Sequence, residues 1–258
     1  MPQDDLTIGT QEEIAYPDPA YKEMVDAGVF YGRKRSRTHP RMKRFILSNR
    51  NEIEIIDLAK TKELLETAQE FIRETMKKRG NILFVGTQPA AVSGVTELAK
   101  AFDLPYVTTR WLGGMMTNFR VIGKRIEHYL KLKNDWQNKA FEAYTKKERV
   151  GIERELNKLE ELFFGLSNFK GLPAALIIID PNLHMTAVRE AKHLRIPVVS
   201  FVNTDSDPEL VQYPVVGNNK AKMSIDWFLR HLREAFEEGK RLAQPIETEM
   251  AAEEKAKA

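Results

Sequence analysis

Short apolar runs alternate with longer amphipathic stretches along most of the chain. Residues 82–85, 175–179 and 197–202 are almost wholly apolar and have the length of strands. Strands of this kind are buried on both faces, as in a parallel sheet. Between them, apolar residues recur every three or four positions, which is typical of the buried face of a helix. The pattern therefore predicts a parallel sheet with helices on both faces.

Boundaries follow from that pattern and from the turn residues between the runs. The predicted strands of the sheet are residues 82–85, 105–108, 175–179, 197–202 and 211–216. The predicted helices are residues 21–27, 61–79, 90–102, 118–133, 146–163, 186–194 and 218–237. Residues 45–47 and 53–58 are strand-like runs separated by polar residues, which indicates a β-hairpin. The predicted fold class is α/β, similar to a flavodoxin-like or Rossmann-like body.

Two consecutive helices interrupt the strand–helix alternation after residue 117. The second opens with a capping box formed by Thr145 and Glu148. We interpret the pair as an antiparallel helical hairpin inserted into the body. The predicted organisation is a flexible arm (1–20), a first part of the body with a basic segment and the β-hairpin (21–117), the insertion (118–165), a second part of the body (166–238) and a disordered tail (239–258).

Composition removes several classes of function. The chain has 258 residues and no cysteine, which excludes disulfides, thiolate zinc sites and a cysteine nucleophile. No apolar run has the roughly 18–20 residues of a membrane span. The first residues are acidic, whereas a secretory or transit peptide is basic or apolar there. We therefore expect a cytoplasmic protein with no membrane partner.

The net charge of +3 conceals an uneven distribution. Residues 1–28 carry seven acids and one lysine, whereas residues 29–50 carry eight Lys or Arg and no acid. Residues 108–149 carry ten Lys or Arg against four acids. Such asymmetry indicates an anionic partner at the basic parts, although an uneven solvated surface is the alternative explanation.

The basic segment, residues 33–44, holds seven Lys or Arg in twelve residues. Cations on a flexible segment can follow a phosphate backbone, and arginine adds bidentate contacts. The segment has no apolar periodicity, so packing does not explain its composition. The predicted RNA-binding residues here are Arg33, Lys34, Arg35, Arg37, His39, Arg41, Lys43 and Arg44.

A second candidate surface begins where the strand 105–108 ends. Two glycines there allow close approach of the backbone, and Thr117 or Asn118 is expected to cap the next helix, whose first amides attract phosphate. Trp111 is interpreted as an anchor of the insertion, with base stacking as the alternative. The predicted RNA-binding residues here are Arg110, Asn118, Arg120 and Lys124.

The ends of the strands offer little for catalysis. Residues 86–94 follow a strand and open a helix but lack the spacing and the lysine of a phosphate-binding loop. Asp180 and His184 are too few for a metal site, and Asp180 and Asn182 are expected to make turn and cap hydrogen bonds. Asp205 and Asp207 could hold magnesium or a ribose, but we favour structural contacts. We predict no cofactor, metal or small-molecule substrate, with a nucleotide- or sugar-phosphate-binding enzyme as the alternative.

Several stretches, in order along the chain, resemble the bacterial type of the small-subunit ribosomal protein S-two family. The clearest is Arg-Trp-Leu-Gly-Gly-Met-Met-Thr-Asn-Phe at residues 110–119. The others lie at residues 27–32, 40–43, 82–87, 171–176 and 196–208. The resemblance implies a flavodoxin-like body with a helical hairpin, docked on small-subunit ribosomal RNA without catalysis. It also implies neighbouring ribosomal proteins as partners, among them the large messenger-binding protein S-one.

Two positions depart from the family's usual pattern. The family commonly has histidines around Gly32, where this chain has Phe30 and Arg33. The replacement by Arg33 adds charge and favours a phosphate contact. The hairpin turn at residues 49–52 lacks the glycine often found there, which suggests a different turn.

Overall fold

The computed structural model describes the backbone of residues 19–257 and the side chains of residues 19–243. The predicted flexible arm therefore lies outside the described residues, except for Pro19 and Ala20. The helices are α1 Pro19–Asp26, α2 Leu58–Lys77, α3 Pro89–Ala101, α4 Phe119–Gln137, α5 Lys146–Phe163, α6 Met185–Leu194 and α7 Lys222–Lys257. The strands are β1 Tyr31–Lys34, β2 Ile46–Arg50, β3 Ile53–Ile56, β4 Ile82–Val85, β5 Tyr106–Val107, β6 Ala175–Ile179, β7 Val198–Val202 and β8 Tyr213–Val216.

The predicted parallel sheet is confirmed. Its strand order is β5-β4-β6-β7-β8, and every neighbouring pair is parallel. After β4 the chain first adds a strand on one side and then returns to add the remaining strands on the other. The topological switch point therefore lies between β4 and β6, where such folds leave a crevice at the carboxyl ends of the strands.

Side chains of the sheet alternate between two apolar layers, as the period of two in a strand requires. Leu83 and Ile178 pack with α4, α5 and α6 on one face. Phe84 and Ile177 pack with α1, α2, α3 and α7 on the other. Both layers are fully buried, which explains why the strand sequences are continuously apolar.

The predicted helical insertion is present as α4 and α5, between β5 and β6. Its inner side chains, including Ile126 and Leu159, join the apolar layer of the sheet. The Lys133 ammonium donates hydrogen bonds to the Glu160 carboxylate at 2.8 Å and to the Tyr129 hydroxyl at 3.2 Å. The capping box between Thr145 and Glu148 is confirmed at the start of α5.

A second sheet of three antiparallel strands has the order β1-β3-β2. It contains the predicted hairpin, β2 and β3, and adds β1, which had not been predicted as a strand. The turn lacks glycine, yet Asn51 and Glu52 both have positive φ angles, of 48° and 64°. A two-residue hairpin turn of the primed type requires that geometry, and Asn51 and Glu52 adopt it without glycine.

The expectation of a flexible basic segment was wrong. Residues Arg35–Arg37 and Pro40–Phe45 form two short 3₁₀ helices. Met42 is completely buried and Phe45 nearly so, and both belong to the apolar layer beneath α4 and α6. Such short turns carry neither the helical nor the strand period, so the pattern of the sequence did not reveal them.

The last helix does not end at residue 237 as predicted, whereas the disorder predicted for the tail, residues 239–258, stays a prediction. Helix α7 continues to Lys257. A Cβ atom on Gly239 would lie 2.6 Å from the Met76 Cβ atom and 2.9 Å from the Arg73 carbonyl oxygen. The glycine thus permits close packing of α7 on α2 and does not end the helix. The residues beyond it are mostly strong helix formers, Ala, Glu, Lys and Met.

Helix α2 begins three residues before its predicted start. The Asp57 carboxylate caps it by accepting a hydrogen bond from the Ala59 amide at 3.1 Å. At its other end, Arg79 takes a left-handed conformation with a φ angle of 55°. In the described part of the chain, no helix combines the length and the apolar character that crossing a membrane requires.

Candidate RNA-binding surface

The basic segment lies across the carboxyl edge of the parallel sheet. The Arg33 amide donates a hydrogen bond to the Thr204 hydroxyl at 2.8 Å, and the His39 amide donates to the Thr204 carbonyl, also at 2.8 Å. Thr204 follows β7 and is completely buried. One residue at the end of a central strand therefore fixes the position of the whole segment.

Two arginines of the segment are held by carboxylates of the loop after β7. The Arg33 Nε atom lies 3.3 Å from Asp205, and an Arg41 guanidinium nitrogen lies 2.7 Å from Asp207 and 3.0 Å from Glu209. Asp207 also caps the next turn by accepting from the Glu209 amide. These contacts agree with the structural interpretation of Asp205 and Asp207. Arg33 and Arg41 position the segment, and their RNA contacts remain a prediction.

The other five cations of the segment are exposed: Lys34, Arg35, Arg37, Lys43 and Arg44. Among residues 19–243, no carboxylate lies within ion-pair distance of any of them. The Arg44 guanidinium lies 4.8 Å from the centre of the Phe45 ring. The segment thus presents a fixed cluster of positive charge to solvent.

His39 has a local structural role. Its Nδ1 atom accepts a hydrogen bond from the Arg41 amide at 3.4 Å and caps the second 3₁₀ helix. The ring is half-buried, so its predicted contact with an unpaired base is restricted to the exposed part of the ring.

The second group of predicted residues lies toward the other end of the same edge. Arg110 follows β5 and is exposed, as are Asn118, Arg120 and Lys124 around the start of α4. The strand order places β5 three strands from β7, a distance of about 14 Å between axes. The two groups are therefore brought to one edge of the sheet, and their contact with RNA remains a prediction.

The expected side-chain cap of α4 is absent. Asn118 occupies the N-cap position but makes no capping hydrogen bond, and the Thr117 hydroxyl donates to Glu190 instead. Glu190 also accepts hydrogen bonds from the amides of Met116 and Thr117. The Glu190 carboxylate thus binds amides of the loop just before α4, and the attraction of a phosphate to the first amides of α4 stays a prediction.

Glu190 is the residue of this surface that the sequence analysis missed. Its carboxylate accepts five hydrogen bonds, from the Trp111 indole, the amides of Gly114, Met116 and Thr117, and the Thr117 hydroxyl. Burial alone would raise the pKa of Glu190, but the bonds from Trp111 and the three amides hold it below its ordinary value. A lone acid on the apolar face of a predicted helix, beside Ala187 and Ala191, was the available signal.

Trp111 is an anchor, as the sequence analysis favoured. The side chain is 9% exposed, and its indole nitrogen donates to the Glu190 carboxylate at 3.0 Å. The ring packs in the apolar layer with Met115 and Met116, and base stacking by Trp111 is therefore ruled out as its main role.

Polar groups at the other strand ends bind one another. Asp180 accepts from the Asn182 amide at 3.2 Å and pairs with the Lys220 ammonium at 2.6 Å. Gln88 donates to the Asn219 carbonyl at 2.6 Å. Within the described part of the chain, no three His, Asp or Glu side chains are grouped so as to hold a metal ion.

Comparison with known proteins settles which family has this architecture and these loops. The family model of ribosomal protein S2 matches residues 24–239, most of the chain. The chain belongs to the ribosomal protein S2 family. The match spans the basic segment, the Trp111 loop, the insertion and the residues of the loop after β7.

Relatives of the S2 family match nearly end to end. The small ribosomal subunit protein uS2 of Corynebacterium urealyticum is 39% identical, covering 91% of this chain and 96% of the relative. That of Corynebacterium jeikeium is 42% identical over 91% of this chain and 85% of the relative. The uS2 of Mycobacterium tuberculosis is 41% identical over 84% and 76%.

Membership of the S2 family confirms a structural ribosomal protein and not an enzyme. Nothing in the family supports the alternative of a nucleotide- or sugar-phosphate-binding enzyme. The polar strand ends that raised that alternative are occupied by structural contacts such as those of Asp180 and Asp207.

Proposed function

We propose that this protein is a structural constituent of the small ribosomal subunit in the cytoplasm, bound to ribosomal RNA along the carboxyl edge of its sheet. The observation that carries the proposal is the fixed cluster of five exposed cations on the basic segment. A phosphate backbone is the partner that such a cluster fits, because each neutralised phosphate releases counterions.

The order of the segment strengthens the argument. A flexible basic tail loses conformational freedom when it binds, and that loss reduces affinity. Here Thr204 and the buried Met42 hold the segment before any RNA arrives. The cations are thus arranged in advance for a partner with a fixed phosphate spacing.

Neighbouring ribosomal proteins are the second class of partner. Exposed apolar side chains on and beside the insertion include Val121, Leu130, Tyr144 and Val150. Such side chains suit a protein surface better than a phosphate backbone. We infer that the messenger-binding protein S-one is among these partners, on the strength of the family resemblance.

The decisive test compares two triple variants. Arg35→Gln, Arg37→Gln and Lys43→Gln remove three exposed cations of the basic segment. Lys146→Gln, Lys147→Gln and Arg149→Gln remove three exposed cations at the start of α5 and serve as the control. We expect the first variant to be lost from small subunits on sucrose gradients and the control to be retained.

Affinity for small-subunit ribosomal RNA should be measured over a series of salt concentrations. Loss of three phosphate contacts lowers the slope of log affinity against log salt by about two to three, because each contact contributes about 0.7 to 0.9. Equal incorporation and equal slopes for the two variants would show that the basic segment is not the RNA-binding element.

A further inference from the structure

A polar cavity of about 290 Å³ opens at the switch point of the sheet, beside the second group of predicted residues. Its lining includes Thr87 after β4, Thr109, Arg110 and Trp111 after β5, and His184 and Thr186 at the start of α6. No acidic side chain lines it. The cavity thus combines a cation, hydroxyl groups and a histidine with no carboxylate to oppose an anion.

Several hydrogen-bond donors of the cavity have no partner among the described residues. These are the Arg110 guanidinium and the hydroxyls of Thr87 and Thr186, whereas the Thr109 hydroxyl donates to the Glu161 carbonyl. Arg110 and Thr186 are exposed and can adjust to a ligand. These donors therefore line a site that an acceptor-rich group could fill.

His184 adds a buried donor. The side chain is 3% exposed, and its Nε2 atom accepts a hydrogen bond from the Thr87 amide at 3.5 Å. Burial lowers the pKa of His184 to about 4, so the ring is neutral at pH 7 and its proton lies on Nδ1. No described residue pairs with Nδ1. Nδ1 is therefore free to donate a hydrogen bond to a ligand in the cavity.

Helix α6 begins at the same cavity. It has ten residues, and the His184 side chain at its N-cap position makes no capping hydrogen bond. The first amides of such a helix are unpaired and favour anions. The uncapped N-terminus of α6 and the unpaired Nδ1 atom of its N-cap residue both favour an anion.

We propose that this cavity binds the phosphate group of a nucleotide, either within RNA or in a free mononucleotide. The RNA source rests on the proposed function, and the mononucleotide source does not. Arg110 neutralises the charge, while Thr87, Thr186 and His184 donate hydrogen bonds to the phosphate oxygens. Trp111 forms a wall and, fixed by Glu190, keeps the loop of Arg110 in place.

The test uses the full-length protein and NMR of its histidine side chains. Inorganic phosphate and adenosine 5′-monophosphate are titrated separately, with adenosine as the control that lacks phosphate. We expect saturable shifts of the His184 signals with both phosphates and none with adenosine. Arg110→Gln should weaken binding by about tenfold and Thr186→Val by a few-fold, as the loss of charged and neutral hydrogen bonds predicts.

Arg149→Gln is the matched control, because it removes an exposed arginine of α5 outside the cavity. It should leave the affinity for both phosphates unchanged. Failure of both phosphates to shift His184, or equal affinities in the Arg110 and Arg149 variants, would overturn the proposal.

A parallel titration with small-subunit ribosomal RNA identifies the source. If Arg110→Gln weakens RNA binding more than Arg149→Gln does, the cavity takes an RNA phosphate. If RNA binding is equal while phosphate binding is lost, it takes a free nucleotide. The incorporation test of the basic segment does not involve this cavity. The proposed function and the proposed phosphate site can therefore fail independently of each other.

Discussion

Glu190 shows how much one buried carboxylate can organise. Its carboxylate accepts hydrogen bonds from five donors of the loop between β5 and α4. That loop carries Arg110 and Trp111. Hydrogen bonds to a charged acceptor are stronger than neutral ones. The orientation of the Arg110 loop therefore depends on a residue about eighty positions further along the chain.

Replacement Glu190→Gln tests this role. An amide group would face the Met116 and Thr117 amides with a donor, so we expect a loss of about 2–3 kcal/mol in the free energy of unfolding. Because the pKa of Glu190 is lowered in the folded state, its contribution is complete above pH 4.5 and is lost as the pH falls below that value. The free energies of unfolding of the wild type and of Glu190→Gln, measured with urea, should therefore converge in acid. A difference between them that stays constant down to pH 3 would contradict this role.

His184 gives a second dependence on pH, at higher values. Burial lowers its pKa to about 4 from the ordinary 6.5, while Asp180 raises it and Lys220 lowers it further. The unfolded chain takes up a proton near pH 6.5 and the folded chain does not. The contribution of the neutral His184 ring to the free energy of unfolding is thus complete above pH 6.5. It is lost as the pH falls toward 4.

We expect the free energy of unfolding to fall by about 2 kcal/mol from this residue between pH 7 and pH 5. Urea unfolding at the two values measures it, and His184→Gln should remove that part of the change. His193→Gln, on the exposed side of the same helix, is the control. Identical pH profiles for the two variants would exclude His184 as the source.

At the scale of elements, periodicity was sufficient for the parallel sheet and the helices around it. Strands such as β4 and β6 were placed correctly because burial on both faces leaves no polar position. The order of the basic segment was not predicted because 3₁₀ turns have neither the helical nor the strand period. Strand β1 was not predicted because its partner strand lies about twenty residues away. The fixing of the segment by Thr204 could not be foreseen, since it joins residues 171 positions apart.

Helix α7 illustrates a local signal that tertiary packing overrides. In the sequence, Gly239 indicates the end of a helix. In the structure, the backbone of α2 lies where a side chain at this position would be. We expect Gly239→Ala to destabilise the protein by about 1–3 kcal/mol, because overpacking outweighs the gain in helix propensity.

Gly151→Ala on α5 is the matched comparison. A Cβ atom there meets nothing within 4 Å, so the substitution should stabilise by up to about 1 kcal/mol. Thermal unfolding of the two variants gives the comparison. A stabilising Gly239→Ala would mean that α2 and α7 can separate at little cost.

At the scale of the whole molecule, the N-terminal third and the C-terminal third close on each other over the carboxyl edge of the sheet. Thr204 receives the Arg33 and His39 amides, and the Val29 carbonyl accepts from the Asn218 amide at 3.0 Å. The candidate surface is therefore assembled from both ends of the chain.

Thr204→Val should loosen this closure without unfolding the body. The variant keeps the shape of the side chain and the carbonyl acceptor but leaves the Arg33 amide unpaired, at a cost of about 1–2 kcal/mol. We expect amide hydrogen exchange in residues 33–44 to accelerate about tenfold, with α2 and α7 unchanged. Thr67→Val, which removes only a local hydroxyl contact on α2, is the control; uniform acceleration across the body would refute the closure.

The same 171-residue separation sets a delay during synthesis. The ribosome adds about 5–20 residues per second, so Thr204 is made roughly ten to thirty seconds after Arg33. Until then the nascent N-terminal region carries the positively charged basic segment without Thr204, which accepts the hydrogen bonds that hold the segment in place. Ordered RNA contact by the basic segment therefore becomes possible only after Thr204 has been synthesised.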